Sequence, residues 1–203
     1  MKIFRQRMLI TTILISTASL TACNAQTDAV SPVSKSAAET TSSKPSSGSV
    51  NQTYKLTSVA EFNEPWAMTL LKDGRLLVTE KKGKLQLLDP QTREKIEVKG
   101  IPKVAYGGQG GLGDIALHPQ FEQNHIIYLS YAEAGQGGYG AVVARGELDL
   151  SNVQQPHVKN LKTIWKQIPK VPGQGHYAHR LLFGSDGKLW ISSGERQKFD
   201  PAQ

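Results

Sequence analysis

A short string occurs twice in the chain, as DGRLLV at residues 73–78 and as DGKLWI at residues 186–191. In both copies a polar Asp-Gly turn leads into a run of aliphatic or aromatic residues. Asp-Gly pairs supply the positive-φ residues that tight hairpin turns require, so each copy predicts an antiparallel β-hairpin. The chain is therefore expected to be an all-β protein built from repeated units.

Three such units follow one another, at residues 66–88, 114–145 and 179–192. Their equivalent strand positions, Met68, Ala116 and Leu182, are 48 and 66 residues apart. A spacing of roughly 40 to 50 residues with about four strands per unit is typical of β-propeller blades, and the longer interval leaves room for an inserted loop. We therefore predict an all-β propeller with about three blades in this chain. A sandwich or barrel built from similar hairpins is the alternative.

The N-terminus carries the pattern of a secretion signal. Three basic residues precede an apolar run at residues 8–20, which at about thirteen residues is shorter than the roughly twenty that a membrane-spanning helix needs. The run ends in LTAC, which resembles the bacterial lipobox, where a lipoprotein signal peptidase leaves an acylated cysteine as the new N-terminus. We predict a lipoprotein signal peptide at residues 1–22 and lipidation of Cys23. An ordinary cleaved signal is the alternative.

The residues around and after this cysteine add to the prediction. Cys23 is the single cysteine among 203 residues, which excludes a disulfide scaffold and a cysteine-based zinc site. Asn24 favours sorting to the outer membrane, so the predicted location is its periplasmic face in a Gram-negative bacterium. Residues 23–52 are rich in Ser and Thr and nearly free of large apolar side chains, which predicts a disordered tether before a folded domain at 53–203.

The charge of the chain indicates no nucleic-acid partner. The formal net charge is +7, and removal of the three basic residues of the signal lowers it to +4. No block of like charges concentrates the remaining excess, so the lysines are interpreted as a solvated surface.

Two loops that enter first strands of the predicted units hold the candidate site residues. The glycines of residues 107–113 let the backbone approach a flat ligand closely, while Gln109 projects into the space. No phosphate-binding pattern follows this loop. Residues 172–180 contain His176 and His179. An imidazole with a pKa of about 6.5 can act as a general base, but a lone histidine in a β protein is more often structural, and His179 is expected to pack under the loop.

Five ordered motifs are similar to those of a known family. They are EPWAM at residues 64–68, DGRLLVTE at 73–80, GQGGL at 108–112, ALHPQF at 116–121, and GH at 175–176 followed by RL at 180–181. This set resembles the soluble pyrroloquinoline quinone (PQQ)-dependent sugar dehydrogenases of the glucose/sorbosone dehydrogenase family, and among them the periplasmic aldose sugar dehydrogenases. The resemblance runs from about residue 54 to the end of the chain. It implies a six-bladed propeller in which the quinone lies flat over the central channel, with calcium bound against it.

The resemblance also implies roles for individual residues. His176 matches the catalytic histidine, which takes the proton of the sugar's anomeric hydroxyl while hydride passes from that carbon to the quinone, so that an aldose becomes a lactone. Gln109 and His176 match residues that contact the cofactor, and Arg180 matches an arginine that we interpret as structural. The soluble glucose dehydrogenase has an aspartate where this chain has Gly175. This difference removes a carboxylate that could tune the base.

The length of the predicted domain leads to a further expectation. Six blades need at least ~240 residues, whereas residues 53–203 number 151, enough for about three blades. We therefore expect an N-terminal portion of a longer enzyme, with an exposed sheet edge and no activity alone. No metal ligands are expected in this chain, and most calcium ligands are expected beyond residue 203. A second copy could pair with the exposed edge as a homodimer.

Two other function classes stay open. A non-catalytic propeller that binds a partner or a glycan would show no quinone-dependent dye reduction. A calcium-dependent sugar lactonase would hydrolyse a lactone without a redox cofactor, and carboxylates at the mouth of the channel would favour it. The sequence does not predict which aldose is preferred or what accepts the electrons.

Overall fold

The computed structural model describes residues 55–199, and almost every regular element in this range is a β-strand. The elements in chain order are β1 (Pro65–Leu70), β2 (Leu76–Glu80), β3 (Lys84–Leu88), β4 (Lys95–Val98), β5 (Leu112–Leu117), α1 (Phe121–Asn124), β6 (Ile126–Gly135), β7 (Gly138–Asp149), β8 (His157–Lys166), β9 (Ala178–Phe183) and β10 (Leu189–Ser193). No helix in the described range has the length and apolar character needed to cross a membrane. The predicted signal peptide, Cys23 and the tether lie outside the described residues.

The strands form three antiparallel sheets. The first contains β1 to β4, the second contains β5 to β8, and the third contains β9 and β10. In each sheet every strand pairs with the next strand in the chain, which is the pattern of a propeller blade. The all-β prediction with about three blades is confirmed, the third blade being represented by two strands in the described range. Met68, Ala116 and Leu182 lie on the first strand of each unit, as predicted.

The unequal spacing of the units has a different origin from the predicted one. We predicted an inserted loop between the second and third units. Instead the strands themselves are longer: β6, β7 and β8 contain 10, 12 and 10 residues, whereas β2, β3 and β4 contain 5, 5 and 4. The inserted-loop prediction is therefore wrong, because a repeat length alone does not distinguish longer strands from longer connections.

The repeated Asp-Gly pairs form the predicted hairpin turns. Gly74 has a φ of 91° and Gly187 has a φ of 75°, in the left-handed region that glycine adopts without steric cost. In the first turn the Asp73 side chain accepts a hydrogen bond from the Arg75 N–H at 3.0 Å. In the second turn the Asp186 side chain accepts the equivalent hydrogen bond from the Lys188 N–H at 3.1 Å. Each aspartate thus stabilises the turn in which its glycine reverses the chain.

The main hydrophobic core lies between the first and the second sheet. Its fully buried aliphatic side chains include Leu77, Leu85, Leu112, Ile127, Leu129 and Val142. A second cluster, in which Tyr128, Val143 and Leu181 are buried, joins the second sheet to the third. Burial of one such side chain contributes about 1.5–3 kcal/mol, so the two clusters are sufficient to hold the three sheets together in chain order.

Apolar side chains are exposed on the first and third sheets. Met68 and Leu70 on β1, and Leu182 and Trp190 on the third sheet, are 63–69% exposed. On β10 the exposure is confined to one face, because the neighbours of Trp190 in the chain pack against the second cluster.

Buried polar contacts connect the three sheets near β5 and β9. The Thr79 hydroxyl donates to the Gly113 carbonyl at 2.7 Å, which joins the first sheet to β5. The buried Asp114 carboxylate accepts the Leu181 N–H at 2.8 Å, which joins β5 to β9. The Ser130 hydroxyl donates to a backbone carbonyl at the start of β9 at 2.6 Å. Because buried polar groups require partners, these contacts fix where the first strands begin.

The strand pairing is irregular at the same end of each unit. Register shifts occur at positions 65–67 of β1, at 112–115 of β5 and at 191–193 of β10, which lies opposite the start of β9. Bulges of this kind re-aim side chains and are frequent beside active sites. The starts of β1, β5 and β9 are therefore the part of the fold to examine for function.

Candidate functional site

A cleft of about 440 Å³ opens where the first strands of the three units begin. It is lined by Trp66 from β1, Gln109 from the loop before β5, segment 176–179 at the start of β9, and Glu195 after β10. The volume lies within the range of roughly 300–1,000 Å³ that small-molecule sites occupy. The structure thus brings Gln109 and His176, the two predicted site residues, to one cleft.

Glycine allows the two predicted loops to touch. Gly108 has a φ of 54°, and a Cβ at this position would lie 2.5 Å from the Gln174 carbonyl oxygen. The Gln109 N–H donates to this same carbonyl at 2.7 Å. We predicted that these glycines let the backbone approach a flat ligand. In the structure the atoms closest to Gly107 and Gly108 belong to Gln174, so these two glycines bring the two loops together.

The side chain of Gln109 supports the backbone of the second loop. Its Oε1 accepts a hydrogen bond from the His176 N–H at 2.7 Å. A glutamine amide has two further donors on Nε2, and Gln109 borders the cleft. One residue can therefore hold the histidine loop in place and still donate to a ligand.

His176 pairs with a carboxylate that was not among the predicted site residues. Its Nδ1 contacts Oε1 of Glu195, whose Oε2 accepts the Lys198 N–H at 2.7 Å and the Phe199 N–H at 3.4 Å. The hydrogen bond from His176, assisted by the two backbone donors, lowers the pKa of Glu195, so this group is a carboxylate at neutral pH. A carboxylate at Nδ1 keeps the ring proton there and leaves Nε2 as the basic nitrogen.

Hairpin pairing explains why Glu195 lies beside the histidine. Ser193 at the end of β10 pairs with Ala178 at the start of β9, and two further residues along each strand bring position 195 opposite position 176. The glycine at position 175 therefore does not leave His176 without a carboxylate, as we had expected, because the opposite strand supplies one. The Asp-Gly turn alone would place position 196 opposite position 176, and the bulge between Ile191 and Ser193 shifts the pairing by one residue, so this signal locates the carboxylate only to within one position.

His179 lies buried beneath the cleft, as predicted, with 2% of its surface exposed. Its ring stacks on Tyr177 with centroids 5.3 Å apart and meets Trp66 edge-on at 5.8 Å. Neither ring nitrogen has a hydrogen-bond partner in the described part of the chain. Burial, together with the positive charge of Arg196, lowers the pKa of His179 to about 4. The ring is therefore neutral at pH 7.

Arg180 lies next to these residues but contacts the framework of the fold. Its Nη1 lies 3.3 Å from the carboxylate of Asp114, the buried residue that joins β5 to β9. The Arg180 side chain is largely exposed. This contact agrees with the structural role that we interpreted for Arg180.

The cleft contains few charged groups. Within residues 55–199, no cluster of three or more His, Cys, Asp or Glu side chains is arranged to hold a metal ion. Among the described residues that line the cleft there is no lysine or arginine. Its chemistry in this range therefore rests on the histidine–carboxylate pair, the glutamine amide and aromatic surface.

Comparisons with known proteins agree with this architecture. Residues 62–203 match the family model described as Glucose / Sorbosone dehydrogenase. Aldose sugar dehydrogenase YliI of Escherichia coli K12 is 35% identical over 147 residues, covering 70% of this chain and 38% of the relative. A solved glucose dehydrogenase superposes with a TM-score of 0.64 at 33% identity, covering 70% of this chain and 44% of that one. The PQQ-bound aldose sugar dehydrogenase of Streptomyces coelicolor gives a TM-score of 0.61 at 29% identity, covering 70% and 42%.

Antiparallel blades whose first strands begin at a histidine–carboxylate pair define a β-propeller with a candidate enzymatic site. The family match makes the assignment specific. The chain belongs to the glucose/sorbosone dehydrogenase family, which is a family of sugar-oxidising dehydrogenases. It spans 38% of the length of the Escherichia coli relative and less than half of the two solved structures.

Proposed function

We propose that this chain supplies the catalytic base of a PQQ-dependent dehydrogenase that oxidises an aldose at its anomeric carbon to the lactone. The observation that carries the proposal is the pair of His176 and Glu195 at a cleft, in a chain of the sugar dehydrogenase family. Relatives named as aldose sugar dehydrogenases, one of them in a PQQ-bound form, support the substrate class and the cofactor.

In the proposed reaction His176 removes the proton of the anomeric hydroxyl. Glu195 holds the proton on Nδ1, so Nε2 presents its lone pair to the sugar. The imidazolium that forms is stabilised by the adjacent carboxylate, which the backbone of residues 198 and 199 holds in place. PQQ, when bound, would supply the acceptor for the hydride of the anomeric C–H bond. The His176 side chain is 49% exposed, which gives the ring access to a sugar in the cleft.

The residues of the cleft fit the ring system of a flat quinone. Trp66, which is 42% exposed, offers aromatic surface, and the Nε2 donors of Gln109 suit a carbonyl oxygen. Since no lysine or arginine lines the cleft in the described range, the cofactor's carboxylates require cations from elsewhere. Calcium is proposed from the resemblance alone, because the described residues contain no carboxylate cluster for it.

The first prediction tests the reaction class. The full-length enzyme that contains this chain should reduce an artificial dye when an aldose, PQQ and calcium are all present, and should not do so when the quinone is omitted. Hydrolysis of a sugar lactone without quinone would identify the lactonase instead. Saturable binding of quinone without dye reduction for any aldose tested would reject the dehydrogenase and leave a binding module. Glu195 is the one carboxylate that lines the cleft among the described residues, and His176 engages it, so nothing here favours the lactonase.

We also propose that the protein is anchored by lipid on Cys23 to the periplasmic face of the outer membrane. The proposal rests on LTAC at residues 20–23, on the basic and apolar segments that precede it, and on Asn24. With such an anchor, the proposed sugar site would lie in the periplasm.

The second prediction tests this anchor. Cys23→Ser should move the protein from the membrane fraction to the soluble fraction, because the acylated residue is removed. Asn24→Gln is the matched control, since it retains the cysteine and should stay with membranes. Fractionation with mass spectrometry of the N-terminal peptide measures both. A wild-type protein that is soluble with an unmodified cysteine would contradict the proposal.

A further inference from the structure

Arg196 is the largest side chain among the fully buried residues of the described range, at 1% exposure. Its Nε donates to the Gly175 carbonyl at 2.7 Å, its Nη2 to the Gly173 carbonyl at 2.6 Å, and its Nη1 to the Tyr139 carbonyl at 2.7 Å. The guanidinium also lies 3.6 Å from the centre of the Tyr177 ring. All its hydrogen bonds within residues 55–199 therefore go to neutral oxygens.

This arrangement is unusual because a buried charge is costly without an opposite charge. Three carbonyl dipoles and the negative face of an aromatic ring surround Arg196, and the neighbouring Glu195 carboxylate adds a smaller attraction without a hydrogen bond. Only a planar guanidinium can donate in three directions and stack at the same time, whereas a lysine presents a single ammonium group. The side chain is thus suited to hold a particular path of the backbone.

The backbone that Arg196 holds is the loop that carries His176. Gly173 and Gly175 flank Gln174, whose carbonyl accepts the Gln109 N–H, and His176 follows directly. The Arg196 N–H also donates to the His176 carbonyl at 3.3 Å. His176 has a φ of 48°, a left-handed conformation that non-glycine residues adopt only when their surroundings impose it. The contacts from Arg196 are such surroundings.

We propose that Arg196 is a positioning residue that fixes the backbone of residues 173–176 so that the imidazole of His176 meets Glu195. The proposal rests on the proposed role of His176 as the base. Residues 195 and 196 are adjacent, so one short segment sets both the path of the loop and the orientation of the ring. Without the guanidinium the loop can relax from its left-handed conformation, and the contact between His176 and Glu195 is lost.

Nuclear magnetic resonance of the full chain, labelled with ¹⁵N in its histidine rings, tests this without an activity assay. The signals of His176 are assigned by their disappearance in His176→Ala. The parent chain should show the proton on Nδ1 of His176. Arg196→Lys keeps the positive charge but not the planar donors, and it should lose this Nδ1–H signal while the chain keeps a cooperative melting transition.

Lys170→Met is the matched control. Lys170 lies in the same connection between β8 and β9, where it donates to the Ala134 carbonyl at 3.1 Å and pairs with Glu133. Removal of the Lys170 ammonium weakens the attachment of this connection at a point that does not contact His176. The His176 signals should therefore stay as in the parent chain. A loss of the signal in both variants would show general loosening and would overturn the positioning role.

Unchanged His176 signals in Arg196→Lys would also overturn the proposal. Where the lysine variant does not fold, Arg196→Gln replaces it, and the same loss of the Nδ1–H signal is expected because one amide nitrogen cannot donate to all three carbonyls. Unfolding with both substitutions would assign Arg196 to the fold as a whole and reject the specific role. Because the readout is the tautomer of His176, a failed dye-reduction assay would reject the proposed function and leave this result standing.

Discussion

Replacement of His176 by alanine is expected to lower sugar-dependent dye reduction by about 10²- to 10⁴-fold, the usual loss when a general base is removed. The ring is half exposed and its side-chain contact is with Glu195, so its removal leaves no buried cavity and should preserve the fold. Turnover is measured with PQQ, calcium and an aldose in the full-length enzyme that contains this chain. A melting curve of the same preparation shows whether it is folded.

His125→Asn is the matched control for this substitution. His125 is an exposed histidine that ends α1 with a φ of 52°, and asparagine tolerates this left-handed conformation. Its turnover should equal that of the parent. Near-normal turnover of His176→Ala would reject His176 as the base, whereas loss of the melting transition would show that the residue supports the fold.

The blades were predictable because their information is local. Gly74 and Gly187 have the positive φ that an Asp-Gly pair indicates, and the strands on either side pair as the alternation of short apolar runs predicts. The lengths of individual strands were not predictable in the same way. β6 to β8 extend over twice as many residues as β2 to β4, and nothing in the spacing of Ala116 and Leu182 separates that from an inserted loop.

The candidate site was predictable only where its residues lie in loops of unusual composition. Gln109 among glycines and His176 before a strand could be singled out in this way. Glu195 could be located from the hairpin only to within one position, because the turn alone pairs position 176 with position 196 and a bulge between Ile191 and Ser193 brings Glu195 there instead. Arg196 could not, because its partners are backbone carbonyls at positions 139, 173 and 175, and their proximity depends on the path of the chain rather than on any side-chain pattern.

As the pH falls from about 6.5 to about 4, the chain is expected to lose up to about 3 kcal/mol of unfolding free energy through His179 alone. Burial, with repulsion from Arg196, lowers the pKa of this residue from 6.5 to about 4 in the folded chain. In the unfolded chain the ring regains its ordinary pKa. Between the two values the unfolded state binds a proton that the folded state does not. The free energy of unfolding therefore decreases as the pH is lowered through this window. Above this window His179 is neutral in both the folded and the unfolded state, so none of the free energy of unfolding is lost through its protonation.

Unfolding by urea at about pH 7 and about pH 4.5 measures this loss, and His179→Asn isolates it. Asparagine does not titrate and tolerates the φ of 69° at this position, so the variant should lose distinctly less stability on acidification than the parent. The comparison of the parent with His179→Asn cancels the titration of all groups that the two chains share, so the difference in pH dependence belongs to His179. If His179→Asn kept the pH dependence of the parent, the folded chain would protonate His179 as readily as the unfolded chain does. The ring would then not be shielded by Trp66 and Tyr177 in solution, and the cleft would open further than its structure indicates.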